Sequence, residues 1–139
     1  MSTTNQHQDT LASQLGVLAA AMAAQDIDGL MAHYDDGLVF VENGQQMDKA
    51  GLRAYVQELW AGDAGFSVDV ATMHAVDDVL AVTLEASIGG ETEAGEKVRI
   101  SWPMFVTYQF DLDTLKVVRE VAFSDEAAVA AKLAAAGVA

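Results

Sequence analysis

The stretch from Lys97 to Ser124, KVRISWPMFVTYQFDLDTLKVVREVAFS, constrains the fold more than any other part of the chain. Val98, Ile100, Trp102, Met104, Val106, Tyr108 and Phe110 share one parity; Arg99, Ser101, Pro103, Phe105, Thr107 and Gln109 share the other. Alternation sustained over this length predicts a strand with one face on a core and the other toward water or a partner. After a short turn, the return arm carries Leu115, Val117, Val121 and Phe123 to one side, which puts Arg119 on the inward parity as well. A strand of roughly 14 residues at ~3.3 Å each spans about 46 Å, more than the width of a small domain, so the sheet is expected to curl. Pro103 cannot donate to a ladder and predicts a bulge or bend at its own position.

The rest of the chain supplies what such a sheet would wrap. Residues 1–9 are polar and expected to fray. Leu11, Leu15, Leu18 and Met22 then form one stripe of an amphipathic helix. Asp26 is placed to cap a short second helix with Ile27, Leu30, Met31 and Tyr34 inward and Gly37 closing it. Leu38–Asn43 reads as a short strand ending in an Asn43-Gly44 turn. Asp48 caps a third helix with Leu52, Tyr55, Val56, Leu59 and Trp60 on one face, ending near Gly62. Phe66–Val76 and Val79–Ile88 make a hairpin around Asp77-Asp78. Val68, Val70, Thr72, His74 and Val76 share a parity on its first arm, and Leu80, Val82, Leu84, Ala86 and Ile88 on its second. Gly89–Glu96 is an acidic, glycine-rich loop, and Ser124 is the expected cap of an alanine-rich last helix bearing Val129 and Leu133.

Helices segregated from an antiparallel sheet make an α+β arrangement. The expected architecture is a cone-shaped, strongly bent antiparallel sheet wrapped around three N-terminal helices, with a short C-terminal helix: a cystatin-like α+β roll. With 139 residues, half of them apolar, the chain is long enough for a single domain with a substantial core. It has no cysteine, which removes disulfides, thiolate metal sites and a cysteine nucleophile. Twenty-one acids against seven bases give a net charge of −14, which argues against nucleic acid and anionic membrane as partners. No apolar run reaches the ~18 residues of a membrane span. The start, MSTTNQHQDT, lacks the pattern of a signal peptide, so a cytoplasmic protein is expected.

Two segments carry a family likeness. AAQDIDGLMAHYDDGLVFVENGQQ and TYQFDLDTLKVVREVAFSDE resemble the first-strand block and the last hairpin of the nuclear transport factor 2-like superfamily. That superfamily includes ketosteroid isomerase, polyketide cyclases, scytalone dehydratase and SnoaL-like proteins. The resemblance covers the whole chain and implies the fold, while function varies with what lines the cone. It also implies a homodimer through the convex face, where Phe105, Val118 and Ala122 are apolar on an otherwise polar parity. Ketosteroid isomerase uses an aspartate base, a tyrosine and a protonated aspartic acid. The matching positions hold Asn43, Leu18 and Val106, so its carboxylate-driven enolisation is not expected. A slip of one residue in the first strand would bring Glu42 inward.

Polar residues on inward parities are the candidates for chemistry. His74 is the expected acid–base residue, because its ordinary pKa lies near neutrality. Arg119 needs an acceptor, either Glu42 or a ligand carboxylate. Tyr34, Asn43, Tyr55, Trp60, Trp102, Met104 and Tyr108 complete an expected ligand-binding wall, with Asn43 or Tyr108 placed to orient a carbonyl. No spacing indicates a metal site or cofactor. The expected function is a SnoaL-like protein binding a small apolar or carboxylate-bearing molecule in the cone. A small lyase, isomerase or cyclase using His74 is the alternative, and a pure dimerisation module a third.

Overall fold

The computed structural model describes the backbone of residues 3–61 and 65–138, and side chains from Gln8 onward in those ranges. Helices α1 (Thr3–Ala23), α2 (Ile27–Met31) and α3 (Lys49–Ala61) alternate with strands β1 (Tyr34–Glu42) and β2 (Gln45–Met47). Strands β3 (Ser67–Val76), β4 (Val79–Glu91), β5 (Lys97–Phe110) and β6 (Val117–Phe123) follow, then α4 (Glu126–Ala135). The six strands form one sheet in the order β2-β1-β6-β5-β4-β3. This is the expected α+β roll, with one parallel pair, β1 against β6, in an otherwise antiparallel sheet.

Several local expectations are met by the chemistry that motivated them. Leu11, Leu15 and Leu18 are buried, and α1 packs on β3 and β4. Asp26 accepts from the Gly29 amide at 3.0 Å, and Asp48 from the Gly51 amide at 2.8 Å, each satisfying an amide at the start of its helix. Asn43 and Gly44 both lie at positive φ, 48° and 86°, and turn β1 into β2. Along β5, Ile100, Val106 and Phe110 are buried, while Phe105 is exposed on the opposite face.

Other expectations are corrected. The helix begins at Thr3, so the polar segment before Thr10 extends α1; residues 1 and 2, and Gly62, lie outside the described residues. Tyr34 opens β1 instead of closing α2, and Gly37 sits within β1, its amide donating to Asp35 Oδ2 at 2.8 Å. β4 runs into the expected loop as far as Glu91. Asp125, one residue after Ser124, caps α4 by accepting from the Ala128 amide. Pro103 interrupts nothing: β4 and β5 pair without a shift from Val79↔Gln109 to Glu91↔Lys97, and β6 has already ended opposite Phe105.

The bulges fall elsewhere, and they decide which side chains face inward. On β3, Val70 pairs with Leu84 and Thr72 with Thr83, which leaves Ala71 as the extra residue. Beyond it the alternation is inverted: Met73 and Ala75 turn to the core, and His74 is exposed on the outer face. On β6, Val117 pairs with Phe110 and Arg119 with Gln109, so Val118 is the extra residue. Val117 is buried before the bulge, and Glu120 and Ala122 after it. Arg119 and Phe123 are therefore exposed, and Ala122 is not part of the outer face. One inserted residue moves every later side chain to the other side of the sheet.

The first strand is tied to the last helix by Asn43. Its Oδ1 accepts from the Ser124 amide at 2.8 Å, and its Nδ2 donates to Ser124 Oγ at 3.2 Å and to Glu126 Oε1 at 2.9 Å. Replacing Asn43 by alanine loses these bonds while keeping a Cβ in the left-handed region. Chemical denaturation should show Asn43→Ala destabilised by about 1–3 kcal/mol. Asn43→Gly should lose about 1 kcal/mol less, because glycine accepts positive φ without strain.

Candidate functional site

A cavity of about 510 Å³ lies between the inner face of the sheet and the helices. Its walls are apolar, with Leu30 from α2, Val56 from α3, Phe40 from β1, Trp102 and Met104 from β5, and Leu133 from α4. The arrangement follows from the packing: α1 covers β3 and β4 at one side of the sheet, α3 covers β1 and β2 at the other, and α4 meets β5.

Of the residues expected to line it, Tyr34, Asn43, Tyr55, Trp102, Met104 and Tyr108 do so. Trp60 packs against the core and is not part of the wall. His74 and Arg119 are excluded by the two bulges, so neither the expected acid–base residue nor the expected carboxylate anchor reaches the cavity. Arg119 lies beside Val39 of β1 with its side chain on the face opposite Glu42, which removes that ion pair.

In their place the cavity contains carboxyl groups. Glu42 lies on the same face of β1 as Leu38 and Phe40, one residue out from the expected register with Asn43 inward, and Glu126 enters from the start of α4. Glu120 is 8% exposed and is brought inward by the Val118 bulge. The sequence carried one signal for it: Arg119 and Glu120 are adjacent, so any reading of β6 must turn one of the two inward.

Glu120 sits between two tyrosines. Tyr34 Oη donates to Glu120 Oε1 at 2.8 Å. Tyr108 is directly opposite Glu120 on β5, a register that brings the two side chains within about 5 Å at Cβ. Oε2 of Glu120 and the hydroxyl of Tyr108 make no hydrogen bond to another described residue, and neither atom is sealed from the cavity. Burial pushes the Glu120 carboxyl up to about 7; the Tyr34 hydrogen bond opposes this, and the charge of Glu42 adds to it. The same burial raises Tyr34 and Tyr108, with the Glu120 charge contributing to both. Tyr55 is pushed up to about 12 by burial and then by the charge of Glu42. Among the described residues no His, Asp and Glu side chains group to hold a metal ion, and no helix is long and apolar enough to cross a membrane.

Residues 17–120 match the model of the SnoaL-like domain, and the chain belongs to that family. No curated protein matches it in sequence. Solved structures agree on the fold. A candidate SnoaL-like polyketide cyclase of Shewanella denitrificans OS-217 superposes with a TM-score of 0.79 at 17% identity, over 91% of this chain and 98% of that one. IdmH, a candidate polyketide cyclase of Streptomyces antibioticus, gives 0.76 at 15% identity, over 89% and 98%. An LEH-like epoxide hydrolase of M. tuberculosis gives 0.71 at 14% identity, over 97% of each chain.

The raised Glu120 makes a prediction about stability. Unfolded, this carboxyl ionises near its ordinary value of 4.5; folded, it holds its proton to about 7. Its contribution is therefore fully present below about 4.5 and is lost as pH rises through about 7, a change of order 3 kcal/mol. Glu120→Gln keeps the shape and removes the ionisation. Urea denaturation should show the variant gaining on the wild type by about 1–3 kcal/mol between pH 5 and pH 8.

Proposed function

We propose that this protein is a proton-transfer enzyme acting on a small, largely apolar carbonyl compound held in the cavity. One observation carries the reading: Glu120 lines a mostly apolar cavity with one carboxyl oxygen that no described residue hydrogen-bonds, and with a proton affinity near neutrality. A general base works best when its pKa lies near the working pH. Glu120 Oε2 takes a proton from carbon next to the carbonyl, and the Tyr108 hydroxyl donates to the oxygen on which charge develops. Tyr34 holds the other carboxyl oxygen and fixes the orientation of the base. The two similar structures described as candidate polyketide cyclases support this substrate class, since such cyclisations begin with proton removal beside a carbonyl. The apolar-ligand half of the sequence reading is kept; with Arg119 on the outer face, the carboxylate-bearing half has no anchor.

The test needs no natural substrate. 5-Nitrobenzisoxazole undergoes ring opening when a base removes its ring C–H proton; the N–O bond breaks and a nitrophenolate forms. The protein should accelerate this reaction with kcat/KM rising through about pH 7, the value of Glu120. Glu120→Gln should lower the rate by roughly 10²–10⁴-fold. Tyr108→Phe should lower it by about tenfold, a modest loss because nitrophenolate needs little stabilisation. His74→Ala should have no effect. Equal rates for the wild type and Glu120→Gln would refute the assignment.

We also propose self-association through the outer face of the sheet. Phe105 and Phe123 are cross-strand partners, 42% and 51% exposed, and a shallow groove beside them is lined by Pro103, Ala71 and Thr83. A second copy of the chain is the proposed occupant, because the paired aromatic rings give two copies an apolar patch to meet on, although Glu85 and Asp125 also line the groove. Sedimentation velocity at tens of micromolar, on the order used for interfaces of ordinary size, should show a dimer that Phe105→Glu dissociates. A monomeric wild type rejects it.

A further inference from the structure

We propose that the cavity selects an apolar ligand carrying a positively charged nitrogen, that Glu42 is the residue that recognises it, and that carboxylates are rejected. This rests on the reading of the cavity as a substrate site and adds the charge of the substrate. Among the described residues the wall contains Glu42, Glu120 and Glu126, and no lysine, arginine or histidine.

The basic side chains are engaged or placed elsewhere. Lys49 pairs with Asp36 and Arg53 with Asp28. Arg99 bonds Ser67, Ser87 and the Gly65 carbonyl, and Lys132 the Ser101 carbonyl. An anion entering the cavity would be stripped of water with no cation to receive it, inside a molecule of net charge −14. A cation meets the opposite situation.

Position separates the roles of the acids. Glu120 is held by Tyr34 on the sheet floor and keeps its proton near neutrality, so it is not the permanent anion of the site. Glu126 is fastened to Asn43. Glu42 is at the end of β1, two residues along the strand from Phe40, which pairs with Glu120. Glu42 lines the cavity together with Tyr55 of α3, whose hydroxyl feels its charge. One tyrosine hydroxyl does not saturate a carboxylate, which accepts several hydrogen bonds. The remaining capacity suits an ammonium group, and Tyr55 and Trp102 in the same wall are residue types that attract a cation. A ligand with its nitrogen at Glu42 and its apolar body along the cavity extends past Glu120.

The experiment is a calorimetric titration of the full chain with 4-phenylbutylamine, 4-phenylbutanol and 4-phenylbutyrate at pH 7. These probes share one skeleton and differ in charge. The expected order is amine, then alcohol, then carboxylate, each step roughly tenfold in Kd. Glu42→Gln should bring the amine to the affinity of the alcohol, and Glu42→Asp should restore part of the preference. Carboxylate binding as tight as amine binding, a preference that survives Glu42→Gln, or binding of none of the three overturns the proposal. Glu120-dependent ring opening of 5-nitrobenzisoxazole is read separately. If it persists, the acid–base reading stands without the charge selection; if it too is absent, both fall.

Discussion

The structure turns on a single inserted residue. Val118 is the extra member of the β6 ladder, and its presence inverts the alternation between Val117 and Glu120. Without it the inner face of β6 would carry Arg119, Val121 and Phe123, a cation and two apolar groups. With it the inner face carries Glu120 and Ala122, and the arginine is left in water. Bulges store no chemistry themselves; they re-aim side chains on a strand whose hydrogen bonds otherwise fix their direction. Here one of them decides that the cavity contains an acid rather than a base.

A buried carboxyl is costly, and the neighbouring strands limit the cost without removing it. Tyr34 reaches Oε1 from β1, across the parallel pairing that joins β1 to β6. That pairing depends on the end of β1 staying in place, and Asn43 secures it by bonding to Ser124 and Glu126. The same three bonds fix the start of α4, whose Val129 and Leu133 form part of the wall. The hydrogen bond that orients the acid and the latch that closes the cavity therefore share one strand. Tyr34 satisfies a single oxygen, so burial still dominates the proton affinity of Glu120.

The fold was legible because its signals are periodic and redundant. The inward sets on β4 and β5 each survive from end to end, since those strands pair without a shift. The helical stripe of Leu11, Leu15 and Leu18 and the turn at Asn43-Gly44 are equally local. The site was half legible. Tyr55, Trp102, Met104 and Tyr108 were found because they lie where the alternation is unbroken, or on a helix face, and Tyr34 lines the cavity although it opens β1 instead of closing α2. His74 and Arg119 were misplaced for one reason: each follows a bulge, and a bulge has no composition of its own. Ala71 and Val118 are ordinary strand residues, so nothing distinguishes them from their neighbours in a string of letters. Pro103, which looked like an interruption, lies where β6 has already ended opposite Phe105, and it leaves the β4–β5 ladder unbroken.

The apolar wall and the acid act on each other. Each aliphatic or aromatic group that makes the cavity hospitable to a hydrophobic molecule also withholds water from Glu120 and strengthens its hold on a proton. A ligand that fills the cavity displaces the water that would solvate Oε2. Under the proposed function, the carboxyl would therefore hold its proton more strongly once a ligand is bound. A cationic nitrogen near Glu42 moderates this by offsetting the charge that now raises Glu120. The charge of Glu42 thus favours retention of the Glu120 proton, and a cation beside Glu42 would weaken that effect. On the proposed reading, an uncharged ligand would favour protonated Glu120 and a cationic one the ionised form, which could take a proton from carbon.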